Sequence, residues 1–166
     1  MIKFGIAADH PLAVRAGEEI LKEGGNIFDA AIAISSVLSV VQPQMGGLGG
    51  DAFLLILLNN GEVFAYNGSG RSLKNFDVNE YLKEKPIRGP LTFTIPGLVD
   101  LWGFLQDNFC SMDLKRILKP SISIAFNGFN IGLLLAEHIK ECEAVLYKFD
   151  SWRKMYFGKK FGDLFK

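Results

Sequence analysis

The stretch VVQPQMGGLGGDAFLLILLNNGEVFAYNGSGRS, residues 40–72, decides the fold because it joins a glycine-rich loop to two apolar runs. The run that begins at Ala52 is apolar without alternation, which is typical of a strand covered on both faces. The Asn60-Gly61 pair suits a type I′ turn, so the run that follows should pair with the first as an antiparallel hairpin. The loop glycines at 46, 47, 49 and 50 permit another backbone to pass close by.

Two helices are predicted upstream of this stretch. Asp9 is a candidate N-cap, Pro11 suits the first turn, and helical spacing of apolar residues continues to Gly24. Asn26 and Asp29 then read as caps of a second helix. That helix, residues 27–41, is apolar or small on every side, so it should pack on more than one flank.

The elements downstream complete a predicted α+β chain. A short helix is expected from Asp77 to Lys85, a strand at LTFT, residues 91–94, and a helix after Pro96-Gly97. The last third is expected to be helix and loop alone. We therefore divide the single fragment 1–166 into a helix-strand layer, 1–95, and a helical part, 96–166.

Composition excludes several classes of protein and site. The 166 residues carry 18 basic and 18 acidic side chains, a net charge of zero that predicts no nucleic-acid partner. The 49% hydrophobic content argues against disorder. No secretory signal is apparent, and the longest apolar run is too short and polar to cross a membrane, so we expect a cytoplasmic protein without a membrane partner.

No cofactor or metal is expected from the residue pattern. Cys110 and Cys142 read as reduced thiols, and His10 and His138 have no further ligand at metal-binding spacing. The glycine loop is followed by Asp51 and a strand, whereas a nucleotide-binding P-loop needs a Lys-Ser/Thr pair and a helix.

The loop NGSGRS, residues 67–72, holds the candidate site. Ser69 lies beside Arg71 but lacks the strand-turn-helix context of a nucleophilic G-x-S-x-G serine. Three interpretations stay open: a nucleophilic Ser69, a loop whose amides and arginine bind an anion, and a structural turn in which Arg71 pairs with a nearby carboxylate.

Four blocks of sequence, taken in series, resemble one family. They are HPLAVRAGEEILKEGGNIFDAAIA, VVQPQMGGLGGDAF, TIPGLVDLWGF and LKPSISIAFNGFNI. Their order and spacing, from about Asp9 to about Gly132, are similar to those of the gamma-glutamyltranspeptidase (glutathione hydrolase) family. The resemblance implies part of an αββα N-terminal-nucleophile hydrolase sandwich, namely the first part of the large subunit.

The resemblance also implies a chemistry. In the family, a precursor cleaves itself and a new N-terminal threonine attacks a gamma-glutamyl amide, such as that of glutathione, with its own amine as base. Here the only threonines are Thr92 and Thr94, and no Thr-Thr-His or Thr-Thr-Ser block occurs. We therefore expect the catalytic residue to lie outside this chain, and the partner to be a C-terminal half or small subunit of the same enzyme.

Two further departures from the family pattern concern the site. Asp51-Ala52 stands where the family has Gly-Gly, and Gly68 stands where it has the arginine that holds the substrate's alpha-carboxylate. Arg71 follows three residues later, in a form similar to cephalosporin-acylase-like members. The resemblance thus makes Gly68, Ser69 and Arg71 candidate substrate-binding residues for a gamma-glutamyl or related amide. The alternatives are a non-catalytic truncated remnant or binding partner, and a small anion-binding module.

Overall fold

The computed structural model describes residues 4–89 and 91–166, which form an α+β chain as the sequence predicts. The described elements, in chain order, are α1 (Pro11–Lys22), α2 (Ile27–Val41), β1 (Ala52–Leu57), β2 (Val63–Gly68), α3 (Val78–Glu84), α4 (Leu98–Asn108), α5 (Leu114–Ile117), α6 (Lys119–Asn127), β3 (Phe129–Asn130), α7 (Leu133–Leu146), α8 (Asp150–Tyr156) and β4 (Leu164–Phe165). None of the helices within these residues is both long and apolar enough to cross a membrane.

The chain folds into two compact units. The first combines the residues up to Met45 with Cys110–Lys166, and the second is the continuous segment Gly46–Phe109. The predicted segments 1–95 and 96–166 do not follow this division, since each of them contributes to both units. The helix-strand pattern along the sequence does not reveal that the chain returns to its first unit after α4.

The core of the first unit forms around α2. This helix packs against α1 on one side and against α5 and α6 on another. Ile20 of α1 and Ile32 and Val37 of α2 are fully buried, as is Ile117 of α5. The prediction that α2 packs on more than one flank is therefore confirmed.

The helix caps of this unit agree with the sequence at α2 and differ at α1. The Asn26 side chain accepts hydrogen bonds from the amides of Phe28 and Asp29, and the Asp29 carboxylate accepts one from the Asn26 amide at 2.7 Å. The prediction of Asp9 as the cap of α1 was wrong. Pro11 occupies the first turn, so His10 directly before it takes the capping position and its Nδ1 accepts from the Leu12 amide at 3.2 Å.

The last third contains strands as well as helices, contrary to the sequence prediction. β3 pairs with β4 in antiparallel register, with Phe129 opposite Phe165. The two rings lie 5.5 Å apart, and the Phe165 ring also stacks on Tyr156 of α8 at 5.4 Å. A pair of two-residue strands shows no periodicity in the sequence, which is why the pattern predicted only helix and loop.

In the second unit, β1 and β2 form the predicted antiparallel hairpin. Ala52 lies opposite Gly68 and Leu57 opposite Val63. The turn is not type I′, because Gly61 has a positive φ of 87° whereas Asn60 does not. The Leu58 carbonyl instead accepts from the Gly61 amide and the Leu58 amide donates to Glu62, which is the pattern of a three-residue loop with glycine in the left-handed region.

The two faces of this hairpin have different surroundings. Phe64 and Tyr66 of β2 stack on Phe104 of α4, with ring centroids 5.5 Å and 4.5 Å apart. On the opposite face, Phe53, Leu55 and Leu57 are 75%, 75% and 71% exposed. The predicted burial of β1 on both faces is therefore not seen within the residues described, and one apolar face of the hairpin is open.

Residues 91–94 do not form the predicted strand. The Thr92 amide and hydroxyl both bond to the Gly89 carbonyl, which closes a turn, and the Ile95 amide donates to the Arg71 carbonyl. The Thr94 side chain is used in the cluster described next. The segment before α4 is thus held by single contacts and not by a strand ladder.

Candidate functional site

Asp51 connects three segments of the second unit that are far apart in sequence. Its Oδ1 accepts hydrogen bonds from the Gly70 amide at 3.0 Å and from the Thr94 hydroxyl at 2.9 Å. The Ser69 hydroxyl lies 3.4 Å from Oδ2. The end of the glycine loop, the NGSGRS loop and the TIPG segment before α4 therefore meet at one carboxylate, which we call the Asp51 cluster.

The electrostatics of the cluster keep Asp51 ionised. The Gly70 amide and then the Thr94 hydroxyl lower the pKa of the Asp51 carboxyl, with a smaller contribution from Ser69. Partial desolvation acts in the opposite direction but is outweighed. A carboxylate with a lowered pKa is a weak proton acceptor, so Asp51 is suited to holding the two segments and not to acting as a general base.

Two glycines allow these segments to approach one another. A Cβ on Gly70 would collide with the Ile95 carbonyl, and a Cβ on Gly97 would collide with the Gly68 carbonyl. The loop glycines 46, 47 and 49, by contrast, have open space where a Cβ would lie. The close backbone approach expected at the glycine loop thus occurs mainly at the NGSGRS and TIPG segments.

The glycine loop contributes through its last carbonyl. The Gly50 oxygen accepts hydrogen bonds from the amides of Gly97 and Leu98, both at 3.0 Å. These amides begin α4, which has no side-chain cap. The loop therefore supplies the missing acceptor at this helix start and fixes α4 relative to Asp51.

The three predicted site residues lie along one continuous stretch and differ in surroundings. Gly68 is buried at the end of β2, whereas Ser69 and Arg71 are exposed. Ser69 faces a carboxylate and has no imidazole or amine hydrogen-bonded to its hydroxyl among the described residues, so the geometry does not match an activated nucleophile. The Ser69 and Gly70 amides are bonded to Asn67 and Asp51, so they do not point at a ligand.

Arg71 is the charged group of the loop that no carboxylate engages within residues 4–89 and 91–166. Its backbone carbonyl is fixed by the Ile95 amide at 3.0 Å, while its side chain is exposed. The interpretation in which Arg71 pairs with a nearby carboxylate has no support among these residues. The arrangement can offer one guanidinium to a carboxylate ligand.

Sequence reasoning missed Asp51 and Thr94 as members of this site. Asp51 was noted only as a departure from the family's glycines, and Thr94 was assigned to a strand. The available signal was a carboxylate directly after a glycine loop, a position where backbone amides are often unpaired. A second carboxylate, Asp100 of α4, accepts from the Tyr66 hydroxyl at 2.8 Å and raises the pKa of Tyr66.

The first unit contains a buried carboxylate of a different kind. Asp29 is fully buried and accepts from the Ser111 amide at 3.0 Å, the Ser111 hydroxyl at 2.5 Å and the Met112 amide at 3.2 Å, in addition to its capping bond. Burial alone would raise the pKa of Asp29, but the hydrogen bonds, led by that of Ser111, lower it. This carboxylate is saturated with donors, and its role is structural.

Comparisons with known proteins place these features in one family. The family model described as "Gamma-glutamyltranspeptidase" matches residues 13–166. The "Glutathione hydrolase-like YwrD proenzyme" of Bacillus subtilis (strain 168) is 41% identical over 140 residues, which cover 82% of this chain and 27% of that protein. This chain thus spans about a quarter of the length of the curated relatives it matches, including 22% and 24% of two others.

Solved structures agree with the sequence comparison. The crystal structure of Helicobacter pylori gamma-glutamyltranspeptidase is similar with a TM-score of 0.83 and 34% identity, over 99% of this chain and 52% of that one. The cephalosporin acylase from Bacillus halodurans is similar with a TM-score of 0.84 and 31% identity, over 95% of this chain and 32% of that one.

Proposed function

This chain belongs to the gamma-glutamyltranspeptidase family, and on that premise we propose that it forms the first part of an amide-cleaving N-terminal-nucleophile hydrolase. The observation that carries the proposal is the Asp51 cluster. It brings the glycine loop, the NGSGRS loop and the TIPG segment together and leaves the Arg71 guanidinium beside them without a carboxylate partner. Three of the sequence blocks that resemble the family thus meet where a substrate carboxylate could be bound.

The proposed chemistry is acyl transfer through a threonine supplied by a segment outside the given sequence. Its hydroxyl oxygen bonds to the amide carbonyl carbon while its proton passes to the threonine's own free amine. The tetrahedral intermediate collapses, the C–N bond breaks, and the leaving amine takes that proton. Water or an acceptor amine then attacks the acyl ester, which releases the acid or a new amide and restores the threonine hydroxyl.

Arg71 is the residue proposed to select the substrate. Gly68 is buried and offers no charge at the position where the family's arginine stands, so the guanidinium three residues later is the available partner for a carboxylate. A charge-assisted contact of this kind contributes about 1.5–3 kcal/mol. The substrate is then a gamma-glutamyl amide, such as glutathione, or a related amide that carries a carboxylate.

The open face of the hairpin supports a partner in the rest of the enzyme. Phe53, Leu55 and Leu57 point to one side of β1 and Val63 extends the same face on β2. Four large apolar side chains on one sheet face are more than a monomeric protein normally leaves exposed in one patch. The proposed occupant is the remaining part of the hydrolase, which would bury this face in the family's layered sandwich.

The experiment compares the chain alone with a chimera in which it replaces the matching part of the Bacillus subtilis relative. Gamma-glutamyl-p-nitroanilide is the first substrate. We expect no turnover from the chain alone and release of p-nitroaniline from the chimera. Turnover by the isolated chain would place the nucleophile within it and contradict the proposal, and a folded chimera that cleaves no amide would contradict the hydrolase function.

Two variants of the chimera test the role of Arg71. Arg71→Ala should lower kcat/KM at least tenfold for a substrate with a carboxylate, by the free energy given above. Arg88→Ala is the matched control, because Arg88 is an exposed arginine of the same unit. An equal loss in both variants, or none in either, would show that Arg71 does not bind the substrate.

A small anion-binding module is the second candidate, and the unpartnered Arg71 guanidinium is the observation that favours it. In that case the isolated chain binds glutamate in a calorimetric titration, Arg71→Ala abolishes binding, and the chimera remains inactive. A non-catalytic remnant would show neither binding nor activity. The two measurements together separate all three functions.

A further inference from the structure

The first unit encloses a cavity of about 190 Å³ beside α7. Its walls combine aliphatic side chains of α7, two aromatic rings of α8 and one amide from the segment after α2. The residues used in the argument are Leu135, Ile139, Cys142, Trp152, Tyr156 and Gln44. All of them belong to the same compact unit.

The aromatic wall of the cavity is held in place from behind. The Trp152 and Tyr156 rings lie 6.0 Å apart, and Tyr156 stacks on Phe165 of β4 with a separation of 5.4 Å. Burial raises the pKa of Tyr156, in agreement with its apolar surroundings. Leu135 and Ile139, on the α7 side, are buried. The cavity therefore has apolar walls that are supported by packing and by a strand pair.

One polar group in the wall stands out. The Gln44 Nε2 and Oε1 atoms are both buried, and neither has a hydrogen-bond partner among the residues that the structure describes. Buried side-chain amides are nearly always hydrogen-bonded, because an unpaired donor or acceptor costs about 1–3 kcal/mol. An amide offers one donor and one acceptor side by side, so a single complementary group can satisfy both.

We propose that this cavity binds a single-ring aromatic ligand that carries a carboxamide, with the carboxamide paired to Gln44 and the ring against Trp152 and Tyr156. A carboxamide supplies a donor for Oε1 and an acceptor for Nε2 at the same time. A carboxylate lacks the donor, and an ammonium lacks the acceptor.

The size of the cavity agrees with a ligand of this class. An engineered apolar cavity of about 150 Å³ holds benzene, so a volume near 190 Å³ leaves room for one ring and a small substituent. Apolar walls with a few placed polar groups are the usual composition of a small-molecule site. This inference does not depend on the proposed hydrolase function.

The test uses the full 166-residue chain, labelled with ¹⁵N, and titrates it with benzamide and, as a control of the same ring size without the amide, toluene. The Gln44 side-chain amide signal is assigned by its disappearance in Gln44→Met, a substitution that keeps the shape and removes both hydrogen-bonding atoms. We expect benzamide to shift the Gln44 amide signals and the Trp152 indole signal. Gln44→Met should weaken benzamide binding about tenfold and leave toluene binding within about twofold.

A second variant keeps the test decisive if Gln44→Met does not fold. Cys142→Phe places a ring in the cavity and should abolish binding of benzamide while the rest of the spectrum is retained. The proposal is overturned if benzamide binds no more tightly than toluene, if it leaves the Trp152 signal unchanged, or if folded Gln44→Met or Cys142→Phe binds benzamide as the natural chain does.

Discussion

The Asp51 carboxylate accepts a hydrogen bond from the Thr94 hydroxyl at 2.9 Å across 43 positions of sequence. Together with the Gly70 amide, this contact ties the glycine loop to the loop that carries Arg71 and to the segment that begins α4. The candidate substrate residues are therefore positioned by a carboxylate that is not itself placed to bind a substrate.

Replacing Asp51 should loosen the Arg71 loop. In Asp51→Ala the Gly70 amide loses its acceptor, so its hydrogen exchange should become several-fold faster. Glu62→Ala is the control, because Glu62 is an exposed acid of the hairpin turn and makes no side-chain contact with the loop. Unchanged exchange at Gly70 in Asp51→Ala would mean that the carboxylate does not hold the loop.

The buried Asp29 should stabilise the first unit far more than an ordinary helix cap. Asp29→Ala removes a cap and leaves the Ser111 and Met112 donors unpaired, so we expect a loss of roughly 2–4 kcal/mol in the free energy of unfolding. Asp77→Ala is the matched control: Asp77 caps α3 through the Asn79 and Glu80 amides but is exposed. Its cost should be about 1 kcal/mol, and equal losses by urea denaturation would contradict the structural role of Asp29.

The same carboxylate predicts a pH dependence with a definite sign. The pKa of Asp29 is lower in the folded state than in the unfolded chain, so folding favours the ionised form. Its contribution is complete above the ordinary carboxyl pKa of about 4 and is lost as the pH falls through the lower folded value. The stability difference between the natural chain and Asp29→Ala should therefore be constant near neutrality and shrink in acid. A difference that grows in acid would contradict the assignment.

Glycine at position 97 should be required for packing, whereas glycine at position 103 should not. A Cβ on Gly97 meets the Gly68 carbonyl, and a Cβ on Gly103 meets nothing within 4 Å. Gly97→Ala should destabilise the second unit by about 1–3 kcal/mol. Gly103→Ala, inside α4, should be neutral or stabilise by about 0.5–1 kcal/mol. Thermal unfolding of the two variants measures both effects, and a tolerated Gly97→Ala would show that the two segments do not approach closely.

Cys110 should resist alkylation in the folded protein. Burial, with the nearby Asp29 carboxylate, raises the pKa of the Cys110 thiol to about 12. At pH 8 only roughly one thiol in ten thousand is then ionised, and the thiolate is the reactive form. Mass spectrometry after iodoacetamide treatment should find Cys110 unmodified in buffer and modified in denaturant. Rapid modification in buffer would show that the thiol is not held in this environment.

Local chemistry in the sequence was enough to predict several elements. The Asn26 and Asp29 caps and the apolar run after them define α2, and the glycine turn between two apolar runs defines the β1–β2 hairpin. These signals lie within a few residues of the structure they describe. The resemblance of four blocks in series identified the family in the same way, since each block is a local pattern.

Contacts between distant residues could not be predicted in this way. Nothing near Asp29 indicates that Ser111 will bond it, and nothing near Thr94 indicates Asp51 as its acceptor. The open face of β1 also escaped prediction, because Phe53 and Leu55 are as apolar as buried strand residues and their exposure depends on what covers them. Propensity describes the strand, and only its neighbours determine its burial.

The discontinuous first unit has a consequence for the order in which the protein is made. Ser111 follows Asp29 by 82 positions, so at about 5–20 residues per second the finished α2 waits roughly 4–16 s for it on the ribosome. During this interval the continuous segment Gly46–Phe109 can complete its hairpin and its helix. The nascent chain therefore finishes its inserted middle before its outer frame, and the arrival of Ser111 marks the moment at which the frame can close.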